Sequence, residues 1–333
     1  MKKYLFITLI ALFPQFASSN AFLLNDYNLI TLGDFSSNSE VEGRTFVGGD
    51  IIGTSSHNYG IHLSAPFNGP TLQVAGSING GGSSGPLSIV GGLVVGMGNT
   101  VKWNGQQKVN NRKVNNAVWI SQTNLDTVRD DFENQLIDNS QSFRDMTSNS
   151  TVTIPSGQPS AYKFNVDQSL GVDDYAVFDI SQWGLFTNTK VQQIEMLVNN
   201  INSLAGIVIN VGGVNANWSN SGNKVGSVFT SLIGREKILW NFYEAQTIQL
   251  HTHSFMGSLL APYATVTSAT PIEGSLGVFS LLTTSEVHLP TSIIAAPQIT
   301  SVPEPNSSTL MAGAFIVLLY SRYRLFKVAN KHE

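Results

Sequence analysis

Between residues 25 and 98 short aliphatic runs alternate with clusters of Gly, Asn and Ser. The clearest are LITLGD at 29–34, TFVGGD at 45–50, TLQVAG at 71–76, LSIVGG at 87–92 and LVVG at 93–96. Each reads as a strand of a few residues stopped by glycine. The units recur irregularly, roughly every 14 to 26 residues, as in a degenerate repeat with one strand per partial coil. Such a coil cannot bury its apolar side alone, so the next coil must cover it. The pattern predicts a mainly β fold, a right-handed parallel β-helix or solenoid, with Gly-Gly corners free to take positive φ. A β-sandwich gives a similar alternation with less glycine.

Two segments change period. Leu125, Val128, Phe132, Leu136 and Phe143 recur at helical spacing. They predict a long amphipathic helix over residues 125–146, with Asn124 as N-cap and Asp126, Asp130, Asp131 and Glu133 in its first turns. Val191, Ile194, Leu197, Ile201 and Leu204 suggest a second, shorter helix. The run IVINV at 207–211 then reads as a buried strand closed by Gly212 and Gly213. No linker divides the body, which we read as one domain over residues 22–299.

The ends differ from the body. Lys2 and Lys3 precede an apolar run and the small residues ASSNA at 17–21, the order of a secretory signal peptide removed after Ala21 or Ser19. At the other end, Val302, Pro303, Glu304 and Pro305 precede the apolar LMAGAFIVLLY at 310–320. Arg322, Arg324 and Lys327 follow. Counted from Ser307, the apolar segment is short against the roughly 20 residues of a full span. The cations beyond it mark a stop-transfer end held on the cytoplasmic side.

Charge narrows the function classes. Charged residues make up only 12% of the chain, and the formal net charge is −4. The two ends hold 6 of the 18 Lys and Arg residues but only 2 of the 22 acids, so the body carries a clear acidic excess. It lacks the basic surface that duplex nucleic acid requires. With 0 cysteines there is no disulfide, thiolate site or Cys nucleophile.

Chemical candidates are few. His251 and His253 stand two apart, which on a strand puts both on one side in a spacing compatible with a metal; Glu244, Glu273 and His288 could supply a third ligand. Glu40, Glu42 and Arg44 share one face of an extended segment and suit an ion network. With Asp34 and Asp50 they could also offer Ca²⁺ hard oxygen ligands. Asp173, Asp174 and Asp179 could form a carboxylate pair for glycoside chemistry. Trp103, Trp119, Trp183, Trp218 and Trp240 could stack on sugars or pack a core. Thr151/Thr153 and Thr265/Thr267 are isolated T-x-T pairs, not the regular ladder of an ice-binding face.

The stretches YNLITLGDFSSNSEVEGRTFVGGD at 27–50, KILWNFYEAQTIQL at 237–250 and FMGSLLAPYATVTSATPIEGSLGV at 255–278 resemble the choice-of-anchor A family of bacterial surface proteins. The tail resembles a PEP-CTERM sorting signal of Gram-negative bacteria. The two resemblances imply a β-helix-like adhesin domain and no catalytic residues. They also imply an exosortase-type protease cutting near residues 303–305 after signal peptidase and transient inner-membrane anchoring.

The expectation is a non-enzymatic protein of the cell surface or extracellular matrix, adhering to glycans or other surfaces. A polysaccharide-active enzyme on a β-helix and an ice-binding solenoid are the alternatives.

Overall fold

The computed structural model describes residues 22–297 except 54–56, 64–69, 77, 81–86, 90–92, 97–107, 110–111, 114–116, 121, 220–221 and 252. These residues belong to a compact unit, Met1–Pro297; the second unit, Gln298–Glu333, and residues 1–21 lie outside the described residues. The chain is mainly β. Its centre is a sheet of 15 strands, and among the described residues one helix, Gln122–Arg144, is longer than six residues.

Ten strands form the main path. In chain order they are β1 (Leu29–Thr31), β2 (Thr45–Val47), β3 (Leu72–Val74), β4 (Leu93–Gly96), β5 (Ala117–Ile120), β6 (Tyr175–Ser181), β7 (Gly206–Gly212), β8 (Ile238–Asn241), β9 (Ser258–Ser268) and β10 (Leu276–Thr283). Their order in the sheet is β5-β4-β3-β2-β1-β10-β9-β8-β7-β6, every pair parallel. The chain therefore starts mid-sheet and builds outward to β5. It resumes at the opposite edge with β6 and builds inward until β10 closes against β1.

The helix, α1 (Gln122–Arg144), makes that return. The side chain of Arg129 lies beside Gly48 at the end of β2, and Phe132 meets Phe46 of β2 with ring centroids 4.9 Å apart. Leu136 covers Gly277 of β10, Ser140 bonds Asn241 of β8, and the Phe143 carbonyl accepts from Asn210 of β7. From Arg129 to Phe143 is about 21 Å of helix. From β2 to β7 is about 24 Å of sheet. The two lengths match, so each helix turn meets the next strand or two. The helix seats closely here: a Cβ on Gly277 would sit 2.8 Å from Leu136 Cδ2, and the leucine would have to shift.

Alternation along the strands splits the core. Leu29, Ile207, Ile209, Trp240, Leu259 and Leu276 face one buried cluster. Ile30, Val208, Leu239 and Leu260 face a second, shared with Leu125, Leu136 and Phe143 of α1; Val128 and Phe132 pack against it partly buried. The predicted docking stripe is therefore the one observed. Its start differs: the helix begins at Gln122, Asn124 lies inside the first turn instead of capping it, and that turn holds no acid.

Two further parallel stacks accompany the main path. One runs Asn215–Trp218, Thr247–Leu250, the second half of β9, the end of β10, Phe35–Ser37, Ile51–Gly53 and Ile78–Gly80. The other runs Phe255–Met256, Ile272–Glu273, Val287–His288, the bridging residue Val41 and His57–Tyr59, which pairs with Leu87–Ile89. The corners between main path and second stack need glycine for closeness. Gly49 N–H donates to the Gly33 carbonyl at 2.9 Å, and Gly76 N–H to that of Gly49 at 3.0 Å. A Cβ on Gly49 or Gly76 would strike the glycine below. Positive φ, expected at these corners, occurs among their described glycines only at Gly213.

The second predicted helix is absent. Val191–Leu197 is a strand, parallel to Ser160–Asn165 and Asn223–Val225, and residues 200–205 turn into β7. The reason is a bulge. Ser160 pairs with Val191 but Ala161 with Gln193, so Gln192 is an extra residue. Val191, Ile194 and Met196 still face the core, now spaced three and then two apart. A strand with one bulge thus imitates helical spacing.

The outer edge of β6 is covered rather than open. Asn149 Nδ2 donates to the Tyr175 carbonyl at 2.9 Å, and Asn149 Oδ1 accepts the Val177 N–H at 2.9 Å. Asn149 and Ser150 N–H both donate to the Val177 carbonyl at 3.1 Å. These bonds occupy edge groups that could otherwise pair with another chain.

Candidate functional site

The second stack presents two outward rows. In the inward row Ala216, Ile248, Val266, Leu281, Phe35 and Ile51 stand side by side, all buried. Strand alternation then turns their neighbours to the outside. One outward row is Asn217, Gln249, Thr267, Leu282, Ser36 and Ile52. The other is Asn215, Thr247 and Thr265, where Thr247 Oγ1 donates to Asn215 Oδ1 at 2.8 Å. Neighbouring strands repeat at about 4.8 Å, and the two rows stand about 6.7 Å apart. No strand segment between Asn215 and Trp218 at one side and Ile51 and Gly53 at the other carries a Lys, Arg, Asp or Glu.

Apolar groups join these rows. Ile52 and Leu282 are 44% and 45% exposed, and at the corner with the main path Tyr263 and Phe279 are 44% and 47% exposed. The corner comes from a register break. Ala261 pairs with Val278 and Thr265 with Ser280, so Pro262, Tyr263 and Ala264 oppose Phe279 alone. Pro262 and Ala264 are buried and Tyr263 is turned out. Tyr243 lies at the matching corner of the neighbouring strand, with the Arg144 guanidinium 5.0 Å from its ring centroid.

The third stack instead concentrates charge. His288 Nδ1 is 2.8 Å from Glu273 Oε1 and its Nε2 2.6 Å from Glu286 Oε2. Arg235 pairs with the other oxygen of Glu273. Glu42 accepts the Leu289 N–H at 2.8 Å and lies 3.4 Å from His62. Burial lowers the affinity of His288 for its proton, but bonds to Glu273 and Glu286 and the charge of Glu42 carry its pKa above the ordinary 6.5. This is an ion network joining N-terminal and C-terminal strands.

The other predicted candidates take structural roles. His251 and His253 follow the last residue of Thr247–Leu250 and do not share a strand; their proposed third ligands are engaged elsewhere, Glu273 with His288 and Glu244 with the Gly213 N–H. Among the described residues no three His, Cys, Asp or Glu side chains are arranged to hold a metal. Asp34 Oδ1 accepts the Asp50 N–H at 2.8 Å, which is turn chemistry at the glycine corner. Arg44 lies over the Tyr27 ring at 4.3 Å. Asp174 accepts the Gly171 N–H at 2.6 Å. Trp218 and Trp240 are core, with centroids 5.7 Å apart; the side chains of Trp103, Trp119 and Trp183 lie outside the described residues. Thr151 and Thr153 are exposed on a different sheet from Thr265 and Thr267, so the two T-x-T pairs do not join.

Residues 22–289 match the family model described as Putative Ice-binding-like adhesive domain. The chain belongs to that adhesive-domain family. The match spans all three stacks and ends just after His288. Neither the curated proteins nor the solved structures contain a match to the chain.

The outward rows of the second stack escaped the sequence reading, which marked only Thr265 and Thr267. The signal was present in NANW, TIQL, TVTS, LLT, FSS and IIG, each free of charge and several of them alternating. It becomes a site only when register brings segments more than 150 residues apart side by side, as in Thr267, Leu282 and Ser36.

Proposed function

We propose that this chain is a non-enzymatic adhesive protein of the cell surface or extracellular matrix, and that the second stack is its adhesive face. The observation carrying this is the pair of uncharged outward rows within an adhesive-domain family. Many weak polar and apolar contacts, repeated at strand spacing, suit adhesion to an extended surface. The three parallel stacks support reading the body as a right-handed solenoid of the choice-of-anchor A type. The leader at 1–21 exports it. The tail, with Val302, Pro303, Glu304 and Pro305 before an apolar segment and Arg322, Arg324 and Lys327 after it, is a PEP-CTERM-like signal for an exosortase-type protease.

Two experiments test this. Display of the full chain on a non-adherent bacterium should increase the cells retained under flow on at least one of glass, polystyrene and cellulose; unchanged retention on all three contradicts adhesion. Mass spectrometry of protein from the native cell surface should find chains ending near residues 302–305. Chains there that retain residues 310–333 contradict processing.

Ice binding is a second reading, favoured by Thr247 standing beside Thr265 and by the family description. Thermal hysteresis in the purified protein would favour it over the first.

A further inference from the structure

Resting on the adhesive reading of the second stack, we propose that its ligand is an uncharged polysaccharide. The sugar rings would lie at the Tyr263–Phe279 corner, with hydroxyls bonded to the neighbouring Thr, Asn and Gln rows.

The inference follows from what each ligand class would lose. An anionic or cationic polymer would be stripped of water against strands that carry no charge, and the charges at the corner beside them are already engaged, Arg144 over the Tyr243 ring, Glu244 on the Gly213 N–H and Asp34 on the Asp50 N–H. A purely hydrocarbon surface would bury Asn215, Asn217, Thr247, Gln249, Thr265 and Thr267 without replacing their hydrogen bonds to water. The ligand must therefore be uncharged, rich in hydroxyls and apolar over some of its surface. A neutral sugar meets all three conditions, with C–H groups for aromatic rings and O–H groups for amides and hydroxyls.

The layout supports the same division. Tyr263 is turned outward by the register break in β9, directly opposite Phe279 on β10. Both rings are nearly half exposed although they sit over a fully buried core row, so no neighbouring element of the described chain covers them. Thr265 and Thr267 follow Tyr263 on the same strand, so a chain lying along β9 passes from aromatic to hydroxyl groups. Thr247 and Gln249 repeat the polar groups on the adjacent strand. The backbone groups of these strands are already paired in the stack, which leaves side chains to do the binding.

The test is co-sedimentation of the full chain with microcrystalline cellulose, chitin and cross-linked dextran, with alginate gel as the anionic comparison. At least one neutral polymer should retain the protein equally at 0.1 M and 1 M NaCl, on the order of ten times better than alginate. Tyr263→Ala/Phe279→Ala should lower that retention about tenfold while its melting temperature stays within a few degrees. Thr267→Lys, which leaves both rings in place, should lower it as well. Retention by none of the neutral polymers, stronger salt-sensitive retention by alginate, or retention indifferent to both variants would overturn the proposal. So would a dimer by light scattering that Tyr263→Ala/Phe279→Ala dissolves, since the corner would then be a self-association surface. If neutral polymers fail while displayed cells still attach through Thr267 and Leu282, the polysaccharide inference falls and the adhesive function stands.

Discussion

Asn241 and Ser140 exchange two hydrogen bonds in the buried seam between sheet and helix. Ser140 Oγ donates to Asn241 Oδ1 at 2.7 Å, and Asn241 Nδ2 donates to the Ser140 carbonyl at 2.8 Å. The second amide hydrogen goes to Asn210 Oδ1 at 2.8 Å, while Asn210 Nδ2 donates to the Phe143 carbonyl at 2.9 Å. Two asparagines on adjacent strands thus hold two carbonyls near the C-terminal end of α1. Asn241→Ala should cost about 2–3 kcal/mol, because it leaves Asn210 and Ser140 short of partners in a dry seam. Chemical denaturation of the purified protein measures this. A loss below about 0.5 kcal/mol would show that water replaces the amide.

Phe132 docks the other half of the same helix. It is partly buried, edge-on to Tyr27 at 5.3 Å and tilted against Phe46 at 4.9 Å. Phe132→Asp places a carboxylate against two rings and should destabilise by about 3 kcal/mol or more. Phe132→Leu should cost about 1 kcal/mol. Equal melting temperatures for all three proteins would contradict the docking.

The third stack should make stability depend on pH through His288. Its folded pKa lies above the unfolded value of 6.5, so its contribution is fully present below pH 6.5. It is lost as pH rises through the folded value, leaving Glu42, Glu273 and Glu286 around a neutral ring, with Arg235 on Glu273 and His62 beside Glu42. Relative to His288→Gln, the native protein should be more stable at about pH 6 and lose that advantage by about pH 9. Parallel thermal melts at the two values decide it; an advantage that grows with pH contradicts the network.

Sequence pattern revealed the elements better than their partners. Leu125, Val128, Phe132, Leu136 and Phe143 marked one face of a helix because a straight helix keeps its period. Val191, Ile194 and Leu197 misled because one bulged residue, Gln192, shifts a two-residue period to three. The corner glycines were visible, but their reason was not. Whether Gly49 needs positive φ or merely the absence of a Cβ depends on Gly33, sixteen positions earlier and one strand below. The candidate face was hidden for the same reason, since β10 lies beside β1 only after the chain has travelled the length of the sheet and back.

The most direct measurement is retention under flow of cells displaying the full chain with charges placed on or off the second stack. Thr267→Lys/Leu282→Lys puts two cations among uncharged outward neighbours. Val172→Lys/Leu232→Lys puts two at exposed positions away from it, 77% and 56% exposed in the native chain. Both double variants should fold and reach the surface equally. Retention on the order of ten times lower for the first, and unchanged for the second, is the predicted result. Equal retention by both would contradict the assignment of adhesion to this face.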